Sequence, residues 1–533
     1  MKKRYKKIVK LRPLNSQKIK SIYFFSLLIM VALLGRIINL QVFSSLSLKS
    51  KARNIQLSKI SAIRSRRSIV DRNNRLIAYD KTLFKLWAHP KYFNFPGDQS
   101  NKIRSIEEVV SKLTPIVNLD KKELLNKFKN KSIGVKLFDD LTEEQANSIR
   151  KLYISGLDLE SHSKRFYPQS NLFSNIVGFV NDDKNGSSGL ELHLDSQIKI
   201  LQKSNVLKKG ADGTPLPDIS GPDDFISDDK KIVLTLDSRL QKVSFDVLSK
   251  QVKKWNAKKG VAIVMNVQNG EVLSLVSLPD FNPNERKNIK DVNYINRVTK
   301  GTYELGSVFK IFTYANALNE NLIEPDTEFL DLPKSIRCDK FRIGEYDDDI
   351  PSNLTAEQII VRSGNIGSVR IAQKIGPEKF KDFLEKVGVL KNINFDIEEV
   401  APQNSYEFKK CKLATASYGH GIATTLLQLA KGYAILSNGG FEINPTLIKK
   451  NSEKNTKRNR LLNEGVSDQV VLALRKIVST EEGTAKLANV PSYEIGGKTG
   501  TADKVLDGVY SEGKVNTFAS IFPTSNPQFV FVV

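Results

Sequence analysis

The stretch VAIVMNVQNGEVLSLVS, residues 261–277, decides how this chain is read. Its two halves are apolar and β-branched, and Asn269-Gly270 between them is a strong short-range signal for a tight hairpin. Just upstream, residues 232–236 (IVLTL) read as a strand, and Asp237 is placed to cap a helix running to Lys250. Downstream, helical patterns dominate from residue 307 to about 436, and strands return at 493–497, 518–522 and 529–533. Strands, then helices, then strands describe an α+β domain. Its antiparallel sheet would join first and last strands from distant parts of the sequence, with helices packed on it.

Residues 44 to about 225 have a different texture, with short apolar runs and many charges. Helical stretches at 105–117 and 142–152 alternate with turn signals at Asn73-Asn74 and Asn185-Gly186. The acidic, Pro- and Gly-containing residues 215–229 read as a linker. With 533 residues the chain is too long for one ordinary core. The expected organisation is a basic tail (1–20), a transmembrane anchor (21–43), an elongated mixed pedestal (44–225) and the α+β domain (226–533).

The formal net charge of +24 is unevenly placed. Residues 1–20 carry nine Lys or Arg and no acid, and residues 49–75 are nearly as basic. Such runs suit anionic lipid or nucleic acid, but no zinc-finger spacing or RNA-binding aromatic motif accompanies them. Residues 22–43 (IYFFSLLIMVALLGRIINLQVF) are apolar and long enough to span a bilayer, with Arg36 near the outer interface. The upstream basic residues place the N-terminus in the cytoplasm. Gly35, Arg36 and a further apolar turn follow the run in place of a small-x-small cleavage site, which favours an uncleaved anchor. Two cysteines, Cys338 and Cys411, make no disulfide framework; a bridge between them and two buried thiols are both open readings.

Chemistry gathers in three short motifs: Ser307-Val-Phe-Lys310, Ser363-Gly-Asn365 and Lys498-Thr499-Gly500-Thr501. Ser-x-x-Lys alone is weak, because this Lys-rich chain repeats it at 161–164, 196–199 and 227–230. At Ser307 the context differs: Gly306 permits a sharp entry into a helix, and an apolar run follows. Positions i and i+3 share a helix face, so the Lys310 amine faces the Ser307 hydroxyl. A serine needs an adjacent base, and a lysine serves if burial and neighbouring cations lower its pKa. Ser363 offers a second hydroxyl to relay a proton, and Asn365 an amide to hold substrate or Lys310; a helix C-terminus is the bland alternative. Lys498-Thr-Gly-Thr follows a short strand closed by Gly496 and Gly497, where a peptide could lie alongside. In this order and context the three match the penicillin-binding and β-lactamase signature.

The chain resembles a class B penicillin-binding protein over essentially its whole length. Tyr303-Glu-Leu-Gly-Ser307-Val-Phe-Lys310 resembles the family's Tyr-x-Pro-Gly-Ser-x-x-Lys, and Gly496-Gly-Lys498-Thr-Gly-Thr-Ala502 its Gly-Lys-Thr-Gly-Thr-Ala. Ile69-Val-Asp71-Arg72-Asn73, Gly189-Leu-Glu191, Thr235-Leu-Asp237 and Tyr418-Gly-His-Gly421 add further matches, and the Gly-His-Gly context is closer to the division-specific FtsI type than to the elongation type. Three positions depart: Leu305 stands for the usual proline, Gly364 for a common serine and Arg67 for a glycine. Family members also continue past the last strand into a helix covering one sheet face. The chain as given is therefore expected to be truncated, to expose apolar sheet surface and to fold poorly.

The resemblance implies a serine-type D-Ala-D-Ala transpeptidase that cross-links peptidoglycan stem peptides outside the inner membrane, in septal wall synthesis, and is acylated by β-lactams. Ser307 would be the nucleophile, Lys310 the base, Ser363 the proton relay and Lys498 the tuner of the local field. Asn365, Thr499, Gly500 and Thr501 would bind substrate. No metal or cofactor is implied. The implied partners are a glycan polymerase of the FtsW type and other divisome proteins, with no nucleic acid. A non-catalytic penicillin sensor or divisome scaffold, and a β-lactamase, are the competing readings.

Overall fold

A computed structural model of the chain describes residues 16–45, 47, 57–59, 65–94, 105–128, 134–200, 206–208, 230–285, 291–339, 341–400, 407–450, 458–506 and 509–533. The linker expected at 215–229 lies outside the described residues. Contacts divide the chain into Met1–Ile63 with Leu201–Ser227, and Arg64–Ile200 with Asp228–Val533.

In the first unit, helix α1 (Ser16–Ile38) continues into a π-helical turn, Asn39–Phe43. Residues Ile19–Val42 are long and apolar enough to cross a membrane, and Arg36 falls in the last turn of α1. Large apolar side chains such as Phe25, Met30 and Val31 are exposed all round it. Such a surface belongs in lipid rather than water. Two short strands, Leu57–Lys59 and Val206–Lys208, pair antiparallel.

The second unit opens with a pedestal sheet. Strand β1 (Ile69–Val70) pairs with β2 (Leu76–Ala88), which also pairs antiparallel with β3 (Val135–Leu141) and β4 (Leu157–Phe166). Helices α2 (Ile106–Val117) and α3 (Glu143–Arg150) start on capping boxes, Ser105 with Glu108 and Thr142 with Gln145, which satisfy free N–H groups in the first turn. Their apolar faces share a core with Leu86, Ala88 and Leu137. Beneath lies a buried ionic knot: Glu191, fully buried, receives Arg66 at 2.6 Å and Arg165 at 2.7 Å, and Arg165 also reaches Asp80. Arg67 is not among the residues with positive φ, so the position has no need of glycine.

Strand β5 (Ile232–Val233) runs parallel to β1 and carries the chain into the larger domain. The ladder is shorter than the 232–236 read from sequence, although the Leu234 N–H still reaches the Val70 carbonyl at 2.8 Å while Leu234 bridges Ile448 as well. Asp237 caps α4 (Ser238–Lys254) as expected, and the helix runs one turn past Lys250. Asp71, also buried, accepts from both the backbone and the hydroxyl of Ser238, fastening pedestal to helix.

The domain's sheet comprises β6 (Gly260–Asn266), β7 (Val272–Leu278), β8 (Gly496–Leu506), β9 (Val509–Phe522) and β10 (Phe529–Val532), in the order β7-β6-β10-β9-β8, all antiparallel. The first hairpin thus meets the last strands across Ile263↔Val532. Strand β8 starts at Gly496, not at 493, and contains the Lys-Thr-Gly-Thr motif instead of preceding it. The register explains this: Gly496 pairs with Ile521, and one step beyond Phe522 stands Pro523, which has no N–H to extend the ladder. One face carries the buried Leu426–Ser437 against β6, β9 and β10 and the helix Val466–Ser479 against β8, while helix α5 (Lys310–Asn319), buried from Lys310 to Leu318, packs among the helices. On the other, α4 packs over Ala262 and Val276, with Phe531 and Val533 partly buried beside them. A hairpin absent from the sequence reading, Ser335–Cys338 with Phe341–Gly344, interrupts the helices. Cys338 and Cys411 are joined in a disulfide with a Cα–Cα distance of 5.6 Å.

Removing one member of a buried ion network leaves its partners charged and unpaired. Glu191→Ala should therefore cost about 3–5 kcal/mol, read as a drop in thermal midpoint of the full-length protein.

Candidate active site

Gly306 takes φ +61°, a conformation that side chains resist. A Cβ there would lie 2.4 Å from the Thr501 carbonyl oxygen, so the loop presses directly on strand β8. The contact is mutual: a Cβ on Gly500 would lie 2.2 Å from the Leu305 oxygen. Two glycines thus let the first and third motifs meet backbone to backbone. From Gly306 the chain forms a 3-10 turn, Gly306–Phe309, and then α5. In a 3-10 turn positions i and i+3 eclipse, which sets Ser307 and Lys310 on one face. Among residues 305–310, Ser307 alone reaches solvent; the rest are buried. The Tyr433 hydroxyl donates to the Val308 carbonyl at 2.8 Å and holds the turn from behind.

The middle motif is brought in by a helix end. Helix α6 (Ala356–Val361) starts on a Thr355–Gln358 capping box and stops where Gly364 N–H returns to the Ile359 carbonyl. Ser363 there takes φ +60°, unusual for a residue with a side chain. The helix-terminus and functional readings therefore coincide, because this backbone turns both the Ser363 carbonyl and its hydroxyl toward Lys310. The Lys310 amine donates to each, to Oγ at 3.1 Å. Asn365 opens helix α7 (Asn365–Ile375), and its Nδ2 donates to the Gly344 carbonyl at 2.8 Å, not to any atom of Lys310.

On β8, an edge strand, side chains alternate. Lys498 is fully buried and donates to the Thr499 carbonyl at 3.0 Å, while Thr499 is half-buried and Thr501 exposed. Thr499 Oγ1 meets Thr484 Oγ1, and Thr501 Oγ1 meets Asn516 Oδ1.

Burial pushes the Lys498 amine down to about 7. Burial and then the nearby Lys498 charge hold Lys310 well below the ordinary lysine range, with Glu345 acting in the opposite sense. A lysine so placed is an amine base near neutral pH. The Lys310 amine is thus held by the Ser363 carbonyl and hydroxyl, on the turn that carries Ser307. His420, stacked on Tyr418, is pushed down by burial and lies within range of Glu304, Lys310 and Asp503.

The site thus unites Ser307, Lys310, Ser363, Lys498 and the Gly500–Thr501 backbone, with Asn365 held at its margin by Gly344. Sequence reading missed Glu345, whose carboxylate accepts from the Asn365 and Ile366 amides. It lies in the acidic run Glu345-Tyr-Asp-Asp-Asp349, which reads as a solvated loop. It also missed Tyr433, Thr484 and Asn516, for which no local signal exists.

Residues 260–533 match the family model described as the penicillin-binding protein transpeptidase domain, and residues 60–219 that described as the penicillin-binding protein dimerisation domain. Over 96% of its length the chain is 30% identical to a protein of Mesostigma viride named peptidoglycan D,D-transpeptidase FtsI homolog, of which it covers 92%. It is 26% identical to the probable peptidoglycan D,D-transpeptidase PenA of Neisseria gonorrhoeae, covering 98% of this chain and 88% of that one. Stage V sporulation protein D of Bacillus subtilis is 27% identical over 92% of this chain and 76% of its own length.

Two outcomes follow from the packing and the charges. Gly500→Ala must push Leu305 and the turn away from β8, and acylation by a β-lactam should fall at least tenfold, since about 1 Å of misplacement costs on the order of 100-fold. Lys498 titrates near 7 folded and about 10.4 unfolded, so between these values the unfolded chain binds more protons and stability rises with pH. Lys498→Met should abolish acylation, yet raise the thermal midpoint at pH 7 and flatten its rise between pH 7 and 10.

Proposed function

Because this chain belongs to the class B penicillin-binding proteins, with a transpeptidase domain behind a dimerisation domain, we propose that it is a peptidoglycan D,D-transpeptidase of the division-specific FtsI type, working through an acyl-serine. The observation that carries the mechanism is the position of the Lys310 amine, buried next to a second lysine and bonded to Ser363.

In this reading the Ser307 hydroxyl attacks the carbonyl of the penultimate D-alanine, and neutral Lys310 takes its proton. Backbone N–H groups of Ser307 and Thr501 receive the oxyanion, and one such donor is typically worth about 3 kcal/mol. The proton passes through Ser363 to the departing D-alanine amine as the peptide bond breaks. An acceptor amine then attacks the ester, loses its proton along the same path and releases Ser307. Thr499, Gly500 and Thr501 hold the substrate carboxylate, and the edge of β8 pairs with the peptide backbone. Asn365, whose Nδ2 is engaged by Gly344, presents its carbonyl to the substrate amide. β-Lactams acylate Ser307 as mimics of the same peptide.

The apolar helix serves as a single-pass anchor in the inner membrane, with the basic tail cytoplasmic and the catalytic domain periplasmic. A glycan polymerase of the FtsW type supplies the strands to be cross-linked, and other divisome proteins place the enzyme at the septum.

Fluorescent penicillin applied to the full-length protein tests this. Wild type should label in one-to-one stoichiometry, Ser307→Ala should not label, and Lys310→Ala should label at least 100-fold more slowly, the loss expected for a general base. Equal labelling of Ser307→Ala would remove the nucleophile.

A further inference from the structure

Helix α7, which begins with Asn365, has a glycine, Gly364, at its N-cap and so gains no side-chain cap from that position. Four N–H groups open every helix, and a side-chain acceptor there is ordinarily worth a measurable part of its stability. The acceptor comes instead from twenty residues away. Glu345 Oε2 takes the Asn365 amide at 2.6 Å and Oε1 the Ile366 amide at 2.8 Å, while the adjacent Gly344 carbonyl takes Asn365 Nδ2. A carboxylate at a helix N-terminus also complements the helix dipole. Both amide bonds and the side-chain bond of Asn365 thus end on one two-residue segment.

That segment is itself tied down. It leaves the hairpin Ser335–Cys338 with Phe341–Gly344, and Cys338 is bonded to Cys411 on the helix Lys410–Ala416, which packs against α7. The Glu345 N–H donates to the Lys334 carbonyl at 3.1 Å, and the next residue's hydroxyl, on Tyr346, to the Arg362 carbonyl at 3.0 Å. A Cβ on Gly364 would stand 3.7 Å from Glu345 Oε1, an ordinary contact, so the carboxylate fills the space beside the cap.

We infer that Glu345 is the positioning residue of the acylating centre: its carboxylate caps α7 through the Asn365 and Ile366 amides, fixes the Ser363–Asn365 corner and brings its charge to bear on Lys310. The inference rests on the transpeptidase reading and deepens it. Glu345 touches neither substrate nor nucleophile, and acts through Asn365 and Lys310. Among the described residues, the charged groups acting on Lys310 are Lys498, which disfavours its protonated form, and Glu345, which favours it. His420, with Glu304 and Asp503 around it, lies on the remaining side. Glu345 is therefore the group whose loss leaves two buried lysines with less to stabilise a shared proton.

The test is the pH dependence of acylation by fluorescent penicillin, measured on the full-length protein from pH 5.5 to 9. Glu345→Gln removes the charge and keeps one of the two acceptor oxygens, so one of the Asn365 and Ile366 amides loses its partner. The acid limb of this variant should move to lower pH, because the charge that favours protonated Lys310 is gone. Glu345→Asp keeps the charge and should hold the limb at the wild-type position, with a plateau lowered a fewfold by the shorter reach. A limb in Glu345→Gln superimposable on wild type, or moved upward, overturns the inference. Should Glu345→Gln fail to fold, judged by loss of its thermal transition, Glu345→Asp alone decides, and a displaced limb in that variant overturns it. Failure of the underlying reading looks different: wild type itself would then not label at Ser307.

Discussion

Everything in this molecule that bears on chemistry depends on keeping two lysine side chains, 188 positions apart in the chain, dry in one site. Burying an ammonium is among the costlier acts a fold performs, and proteins ordinarily relieve it by loss of the proton. Here Lys310 and Lys498 are both fully buried and each depresses toward the neutral amine, Lys310 further because Lys498 is near. The strain is what makes a base. The structure sustains it with uncharged partners: the Ser363 hydroxyl and carbonyl for Lys310, and the Thr499 carbonyl for Lys498.

Two features hold that arrangement without being part of it. The glycine contact, Gly306 on Thr501 and Gly500 on Leu305, replaces side-chain packing with direct backbone apposition, which leaves little latitude in the position of Ser307. Behind it, α5 is buried from Lys310 to Leu318, so the Ser307 turn leads into a core helix rather than a loop. The pedestal is built on the opposite principle. Its Arg66–Glu191–Arg165 knot gathers segments through charge instead of apolar area, and Asp71 passes the constraint to the start of α4.

Much of this was legible in the sequence. The Asn269-Gly270 hairpin, the Asp237 cap and the helical stretches at 105–117 and 142–152 are local events, decided by residues within a few positions of each other, and the structure shows helices at Ile106–Val117 and Glu143–Arg150. The three motifs were legible as a set because their order is improbable by chance. Leu305, where the family has proline, is buried, and its contact with Gly500 is made by its backbone carbonyl rather than its side chain. What escaped notice depends on distant partners. The start of β8 coincides with the end of the neighbouring strand, where Pro523 follows Phe522, twenty-seven residues on from Gly496. The Cys338–Cys411 bridge, one of two readings left open, spans 73 residues, and nothing local decides between them. Glu345 sits in a run of acids that any sequence reading assigns to solvent, and only the fold shows it capping a helix.

The account is tested most directly by a crystal structure of the benzylpenicillin adduct. It predicts an ester on Ser307 Oγ, with the ester carbonyl oxygen between the N–H groups of residues 307 and 501. The Lys310 amine should lie within about 3 Å of both Ser307 Oγ and Ser363 Oγ, the reach a proton transfer requires. An adduct on any other residue, or a Lys310 amine more than about 6 Å from the ester oxygen and beyond even a bridging water, would contradict it.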